Sequence, residues 1–406
     1  MVIREHCSYG ESTGGERSNP AGPAKASYAA LLVGLVGFCI GIGISETAGA
    51  DIVKTDRLTV SGDFRFRLEQ DWDSQNSSGV SRDDRLRARI RARLAMNFAV
   101  ADGVEFGARL RSGSDGSQQS PHITVVDFDG NDTGDADFNF DKWYLRINRG
   151  GFWGWAGRNG IPIWKPNEIF WDDDATPIGL ALGYDAALDG DSKLGLKAGR
   201  FSLPAGMQGA CGELTVAQAV FDTTLSDVGL TLATGINDFE RGAPGDSDCG
   251  LYQESNGERD YSIWTTNLQL TAKLGDKPLS VGVDVMRNSE DYALTDPGIT
   301  AENQNETDGW DAYVTYGGTR NKGDWLFGYW YANIEQFAVH NSFSQDDWMR
   351  WGSATQTRSS NFKGHELRAA TSLGSGLNLV ARLYFVEAIT SIEDGNRFRL
   401  DLNYSF

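Results

Sequence analysis

The chain has 406 residues, of which 40% are hydrophobic, 11% are aromatic and 49 are glycines. Acidic residues outnumber basic ones by 56 to 37, which gives a net charge of −19 at pH 7. This balance excludes a nucleic-acid partner held by net positive charge, because neutralising phosphates requires clustered bases in excess. The four histidines and four cysteines leave little material for a metal centre or a redox relay, so we expect no resident cofactor.

The first fifty residues have the pattern of an export signal. An apolar run from Tyr28 to Ile44 follows a basic flank, and the small-residue cleavage pattern Ala48-Gly49-Ala50 comes shortly after it. These features predict a signal peptide over 1–50 and a mature chain over 51–406. A membrane anchor is the alternative, since the run nearly reaches spanning length. The residues ahead of the run mix acids and bases, which suggests a true start codon downstream of Met1.

The mature sequence alternates apolar and polar residues with a period of two, which is typical of strands with one apolar face. In residues 85–98, apolar side chains occupy the even positions and arginines occupy most of the odd ones. A helix would spread these arginines around its whole circumference, so strands are the better interpretation. Sixteen stretches are predicted as strands: 57–70, 85–99, 104–112, 138–148, 152–158, 178–188, 193–201, 214–224, 228–237, 259–273, 279–288, 309–317, 324–337, 362–373, 377–387 and 396–406.

The connections between these stretches alternate strictly between short and long. Seven are short and rich in Gly, Asp or Asn, and eight are longer and polar, among them 112–137, 159–177 and 338–361. This arrangement predicts an all-β fold, a transmembrane antiparallel β-barrel with short periplasmic turns and long extracellular loops. A soluble β-helix or a set of β-sandwiches is the alternative, but the chain has no fixed-period repeat.

The end of the chain carries a resemblance to a known family. Alternate residues there are apolar or aromatic and share one face: Leu400, Leu402, Tyr404 and Phe406. This pattern resembles the last strand of Gram-negative outer-membrane proteins, which the outer-membrane assembly machinery reads. With sixteen strands the chain resembles a general porin, and 156–174 is similar to families described as "putative porin". The resemblance implies an outer-membrane location, a homotrimer, and contacts with outer-membrane lipids and lipopolysaccharide.

Basic residues are concentrated on one face of the first three predicted strands. That face is expected to point into the barrel, because an arginine facing lipid at the bilayer midplane costs ~2–4 kcal/mol. A barrel of this size encloses an aqueous channel, and its lumen residues set selectivity. Pairing with acids on adjacent strands is the alternative role. The predicted pore-lining set, called the arginine wall below, is Arg65, Arg67, Arg85, Arg87, Arg89, Arg91, Arg93, Arg109 and Arg111.

The third long connection, 159–177, is rich in charged and aromatic residues. If it folds into the barrel, its acids face the arginine wall across the pore, and the resulting transverse field orients polar solutes. The alternative is a solvated acidic surface over the mouth of the barrel. The candidate constriction residues are Lys165, Glu168, Asp172, Asp173 and Asp174.

Three further patterns lead to separate predictions. Loop 127–137 alternates carboxylates with glycines like a calcium loop but lacks the closing glutamate. An acidic surface that shares divalent ions with lipopolysaccharide explains the pattern equally well. No metal site is therefore predicted. Cys211 and Cys249 lie in neighbouring long loops of an exported chain, which favours a disulfide. Aromatic residues beside two short turns predict a girdle at the periplasmic interface, with stacking on sugars in the lumen as the alternative: Trp143, Tyr144, Trp153, Trp155, Trp325, Tyr329, Trp330 and Tyr331.

These observations together predict a passive outer-membrane porin, a water-filled channel for small hydrophilic or charged solutes. A channel selective for an anionic solute is the first alternative, and a structural or adhesin barrel plugged by its own loops is the second. A barrel enzyme would need a nucleophile and a base on its surface. The mature chain has only three histidines, His122, His340 and His365, so no catalytic residue is predicted.

Overall fold

The computed structural model describes residues 53–114, 119–130, 133, 136–204, 210–240, 259–296, 298–349 and 359–406. Every regular secondary-structure element within this part of the chain is a β-strand. No helix there is long and apolar enough to cross a membrane. The predicted signal peptide 1–50 and Cys249 of the predicted disulfide lie outside the described residues, and both remain predictions.

Sixteen antiparallel strands of the described residues pair in chain order. The last strand pairs with the first, with Leu400 opposite Leu68, so the sheet closes into a barrel. The predicted all-β barrel with sixteen strands is therefore confirmed. Numbered β1 to β16, the strands are Leu58–Gln75, Arg85–Ala101, Val104–Ser112, Phe138–Arg149, Phe152–Arg158, Ile178–Ala187, Lys193–Pro204, Ala210–Leu225, Val228–Glu240, Tyr261–Leu274, Lys277–Asn288, Asp308–Gly317, Trp325–Ile334, Phe362–Gly374, Leu377–Ala388 and Asp394–Ser405.

Three short strands, Val53–Lys54, Ser81–Arg82 and Ile123–Asp127, extend the sheet at its edges. Ile123–Asp127 pairs with residues 87–90 of β2, whereas residues 93–101 of β2 pair with β3. Residues 123–127 of the connection between β3 and β4 thus lie on the barrel wall.

Side chains alternate between the two faces of the barrel. Leu94, Met96 and Phe98 on β2 are 49%, 41% and 40% exposed and point outward, as an apolar face against hydrocarbon requires. The arginines between the apolar side chains of β2 point inward, where Arg91 and Arg93 line internal cavities. The period of two therefore separates the lipid-facing residues from the interior residues.

The aromatic residues beside the short turns are divided between the two faces. Trp143 and Trp325 are 41% and 52% exposed and point outward. Trp155 and Trp330 are 6% and 7% exposed, and they stack inside the barrel on Phe201 and Tyr313. The predicted girdle is wrong for this second pair, because both side chains lie on the inward face of their strands, and alternate positions of a strand face opposite sides of the sheet.

Two loop segments fold into the barrel and form an apolar core there. One is 159–177, in which Trp171 is 2% exposed, and the other is 335–349, in which Phe337, Phe343 and Trp348 are buried. The rings of Trp171 and Phe343 stack at 5.4 Å between centroids. Strand β13 ends at Ile334, before the predicted 337, because the chain turns inward at this point.

Candidate pore constriction

Strand pairing brings the arginine wall together. In the register of β1, β2 and β3, Arg65 lies opposite Arg91, and Arg93 lies opposite Arg111. Like charges placed opposite each other on a sheet repel, so this arrangement requires carboxylates between the guanidiniums. The acids come from neighbouring strands and from loops, as with Asp63, which pairs with Arg91 and Arg93 at 2.8 and 2.7 Å.

Each of the nine arginines of the wall has a carboxylate oxygen within 3.8 Å. Pairing with acids on adjacent strands, the alternative considered from the sequence, thus applies to all of them. These ion pairs leave the arginine side chains inside the barrel. Arg65, for example, donates to the amide oxygen of Asn403 at 2.6 Å, lies 3.8 Å from Asp401 and still lines both cavities.

Two cavities lie inside the barrel. One, of about 660 Å³, lies between the inner wall and segment 159–177. The other, of about 580 Å³, lies on the side of the short turns and reaches Thr319 and Ser405. Five basic side chains line both cavities and so mark the boundary between them. These five shared arginines are Arg65, Arg91, Arg93, Arg109 and Arg382.

Segment 159–177, called the constriction loop below, lies inside the barrel against these arginines. Asp174 pairs with Arg93 at 2.7 Å and lies 3.4 Å from Arg109. On the far wall, the Asn167 amide donates to Asp284 and Asp311 at 2.6 Å each. The loop therefore crosses the interior from β2 and β3 to β11 and β12.

The other predicted constriction residues do not contact the arginine wall. Lys165 pairs with Asp173 of the same loop at 2.7 Å. Glu168 accepts a hydrogen bond from Gln345 at 3.3 Å, and Asp172 accepts one from the backbone N–H of Asp174 at 2.8 Å. These groups line the larger cavity, so both signs of charge face its interior.

Comparison with known proteins finds one family model and several solved structures that are similar to this chain. A family model described as "Putative porin" matches residues 79–207, which include β2 to β7 and the constriction loop. No curated protein matches the chain. The high-pH structure of Pseudomonas putida OprB is similar, with 12% identity and a TM-score of 0.56 over 86% of this chain and 94% of OprB.

The structure of Salmonella typhi OmpF in complex with daunomycin is also similar, with 9% identity and a TM-score of 0.51 over 87% of this chain and 99% of that one. The chain has the fold of an outer-membrane porin. The family model matches part of the chain, and the two solved structures share its fold.

The acids of the constriction loop differ in their electrostatic surroundings. Burial and the nearby carboxylate of Asp173 raise the pKa of Glu168 to about 7. Burial and Glu168 likewise raise the pKa of Asp172 well above its usual range. Although burial opposes ionisation of Asp174, the guanidiniums of Arg93 and Arg109 lower its pKa to about 2. The loop is thus anionic at its contact with the wall, whereas Glu168 titrates near neutrality.

The barrel interior contains charged residues that the sequence prediction missed. The missed bases lie on β14 to β16 and on β4, in the same inward phase as the arginine wall. Arg397 and Arg399, for instance, alternate with Phe398 and Leu400, so the periodicity used for β1 to β3 could have identified them. The set comprises Lys142, Arg368, Arg382, Arg397 and Arg399, with the acids Glu69, Asp71, Asp141, Asp347, Glu366 and Asp401.

The remaining predicted sites have separate roles in the structure. Asp127 pairs with Arg85, and the carboxylate of Asp129 accepts from the backbone N–H of Leu86. Residues 131–132 and 134–135 of that loop lie outside the described part, and no group of three or more metal-ligand side chains occurs among the described residues. The calcium alternative for 127–137 and the disulfide therefore stay predictions.

The terminal strand completes the closure of the porin barrel. Leu402 and Tyr404 lie opposite Phe66 and Phe64 of β1. The backbone N–H of Phe406 donates to Gly62 O at 3.1 Å, and the Gly62 N–H donates to Phe406 O at 3.0 Å. The last residue thus takes part in the seam between the two ends of the sheet, where an assembly signal would be read.

Proposed function

We propose that this porin forms a water-filled channel through which small hydrophilic or charged solutes diffuse passively, without any catalytic step. The observation that supports this proposal is that five arginines line both internal cavities. A solute that moves from one cavity to the other has to pass between these side chains and the constriction loop. At the constriction, the basic side chains of the wall would then face the carboxylates of the loop.

Preference for anions is the second candidate property, and the turn-side cavity favours it. The described side chains that line this cavity include the five shared arginines but only one carboxylate, Asp63. Lumen charges set the ion preference of channels. We therefore propose that anions are favoured over cations of the same size, although the whole chain is acidic.

Planar-bilayer recording with the purified, folded protein under a KCl gradient tests both proposals. We expect discrete conductance steps and a reversal potential of the sign that anion flow produces. Absence of steps from folded protein would contradict the channel and favour a barrel plugged by its own loops. A reversal potential of the cation sign would contradict the anion preference alone.

Arg65→Gln is the sharpest variant for the same recording. The closest contact of Arg65 is the neutral amide of Asn403, and Asp401 keeps its 2.7 Å pair with Arg67, so the substitution leaves no carboxylate without a partner. We expect the reversal potential to move towards cation flow. Arg200→Gln is the matched control, because Arg200 is exposed and pairs with Glu213 away from both cavities.

We also propose that the porin is a homotrimer embedded in lipids and lipopolysaccharide, as the resemblance to general porins implies. Chemical cross-linking in isolated outer membranes, followed by denaturing electrophoresis, would show bands of two and three chains. A single monomer band under conditions that cross-link a known trimeric porin would contradict the proposal.

A further inference from the structure

The inward segment 335–349 places one carboxylate among basic side chains from three strands. Asp347 lies 3.7 Å from Nη1 of Arg67 on β1 and 3.4 Å from Nη1 of Arg382 on β15. It also pairs closely with Arg399 on β16. Planar guanidiniums converging on one point form the arrangement that binds carboxylate and phosphate oxygens. This carboxylate therefore lies where an anionic ligand would bind.

The three arginines each have a second carboxylate nearby besides Asp347. Each also pairs with a carboxylate on a barrel strand: Arg67 with Asp401 at 2.7 Å, Arg399 with Glu69 at 2.6 Å and Arg382 with Glu366 at 3.9 Å. The barrel wall thus holds Arg67 and Arg399 on its own, whereas Arg382 also donates a hydrogen bond to Asp347 at 3.4 Å. Asp347 is an additional anion, contributed by a loop to a preformed cationic surface.

The surface borders the larger cavity. Asp347 and Arg382 both line that cavity together with Arg65 and Arg91. Nη1 of Arg67 is buried and has no hydrogen-bond partner among the described residues, so one donor of the cluster remains available to an oxyanion. Asp347 and Arg382 are the members of this cluster that line the cavity, while Arg67 and Arg399 are buried, at 1% and 2% exposure.

We propose that Arg67, Arg382 and Arg399 form a binding site for the carboxylate or phosphate group of a solute, and that Asp347 occupies this site as an internal competitor. Conduction requires a site that solutes both enter and leave readily. Asp347 keeps the affinity of the site low, so anions pass instead of being retained. Asp347 is thus the residue that determines how strongly the channel interacts with anions.

The charge of Asp347 is permanent under physiological conditions. Burial opposes its ionisation, but the guanidiniums of Arg399 and Arg67 lower the pKa of Asp347 well below its usual range. The backbone oxygen of Asp347 also accepts a hydrogen bond from Arg397 at 2.8 Å. The competitor is therefore charged at neutral pH.

Removing this carboxylate should leave the segment in place, because other contacts hold it. The side chain of Gln119 donates to the backbone oxygen of Ser344 at 2.6 Å. The backbone N–H of Asp172 donates to Phe343 O at 2.8 Å, and Phe343 stacks on Trp171. Asp347→Ala therefore opens the site without removing the loop, and Asp347→Asn removes the charge while keeping the volume.

The test is isothermal titration of inorganic phosphate into folded protein in detergent. We expect Asp347→Ala to bind phosphate at least about tenfold more tightly than the wild type, a difference of ~1.4 kcal/mol, and Asp347→Asn to bind it more tightly to a smaller extent. Asp346→Asn is the matched control, since it changes the same charge one residue away, and should behave as the wild type. Equal phosphate affinity in the wild type and both Asp347 variants would overturn the proposal.

Single-channel current provides the second measurement and separates this proposal from the channel function on which its physiological meaning rests. Millimolar phosphate should reduce the open-channel current of Asp347→Ala and leave that of Asp346→Asn unchanged. Tighter phosphate binding in a protein that does not conduct would uphold the site and overturn the channel. Conduction with unchanged phosphate affinity would overturn the site alone. If heat-modifiable electrophoresis shows that Asp347→Ala does not fold, Asp347→Asn carries the same test.

Discussion

Glu168 shows how one residue of the constriction loop can make conduction depend on pH. Its pKa is raised to about 7 by burial and by Asp173, so the carboxyl is charged above neutrality and neutral below it. Lowering the pH from about 8.5 to about 5.5 therefore removes negative charge opposite the arginines. We expect the reversal potential under a salt gradient to move towards anion flow.

Glu168→Gln should lose most of this response, because the group that titrates near neutrality is gone. Asp173, Lys165 and Asp347 face the same carboxyl and set its pKa without replacing it, and Glu168 in turn raises the pKa of Asp172. Glu302→Gln, at an exposed loop glutamate, should keep the response of the wild type. A pH profile that is the same in Glu168→Gln and the wild type would rule out this assignment.

Gly62 is a position at which a side chain has no room. A Cβ there would lie 2.8 Å from the Phe406 ring and 2.7 Å from the backbone oxygen of Arg93. Crowding of this kind costs ~1–3 kcal/mol, and here it acts on the strand that closes the barrel. We expect Gly62→Val to lower the yield of folded barrel, as measured by heat-modifiable electrophoresis after refolding.

Gly318→Val is the control for this experiment, because a Cβ at Gly318 meets only Pro278, at 3.8 Å. Deletion of Phe406 should lower the yield as well, since it removes both terminal backbone hydrogen bonds to Gly62. Refolding yields equal to the wild type for both Gly62→Val and the deletion would show that the seam does not limit assembly.

Asn167 anchors the constriction loop to the wall opposite the arginines. Its amide donates to two carboxylates, Asp284 and Asp311, which are 3% and 0% exposed. Leaving a buried polar group without its partner costs ~1–3 kcal/mol, which is on the order of a tenfold change in a loop equilibrium. We expect Asn167→Ala to raise the open-channel noise and the mean conductance.

Asn148→Ala is the matched control for the loop anchor, because Asn148 bonds to Arg146 at an exposed turn. Current traces of this variant should match the wild type. If Asn167→Ala gave the same conductance and noise as Asn148→Ala, the hydrogen bonds to Asp284 and Asp311 would not hold the loop in place.

The strands could be predicted because apolar lipid-facing residues alternate with polar interior residues along them, as Leu94 and Arg93 do. The inward path of 159–177 remained one of two alternatives, since acidic composition does not distinguish a solvated loop from one paired with arginines. The role of Asp347 could not be predicted. Its partners Arg67 and Arg399 are brought together only by barrel closure, and a loop without periodicity gives no signal of its direction.

The distribution of charge over the whole molecule separates a basic interior from acidic loops. Segment 289–307 on the loop side contains five acidic residues and no lysine or arginine. The turn-side cavity, in contrast, is lined by the five shared arginines. Net charge thus hides an axial asymmetry, in which acidic residues are concentrated in a loop such as 289–307 and basic residues line the interior as far as the turn-side cavity.

An axial asymmetry of charge makes current depend on the sign of the voltage. With the loop side positive, cations enter through the acidic end and anions enter through the basic end, so both accumulate in the channel and carry more current. We therefore expect rectification in bilayers at about 0.1 M salt, where the Debye length is about 10 Å, and its loss at about 1 M, where it is about 3 Å. Orientation is determined by adding protease to one side of the bilayer. A symmetric current–voltage curve at the lower salt concentration would show that these charges do not act along the conduction path.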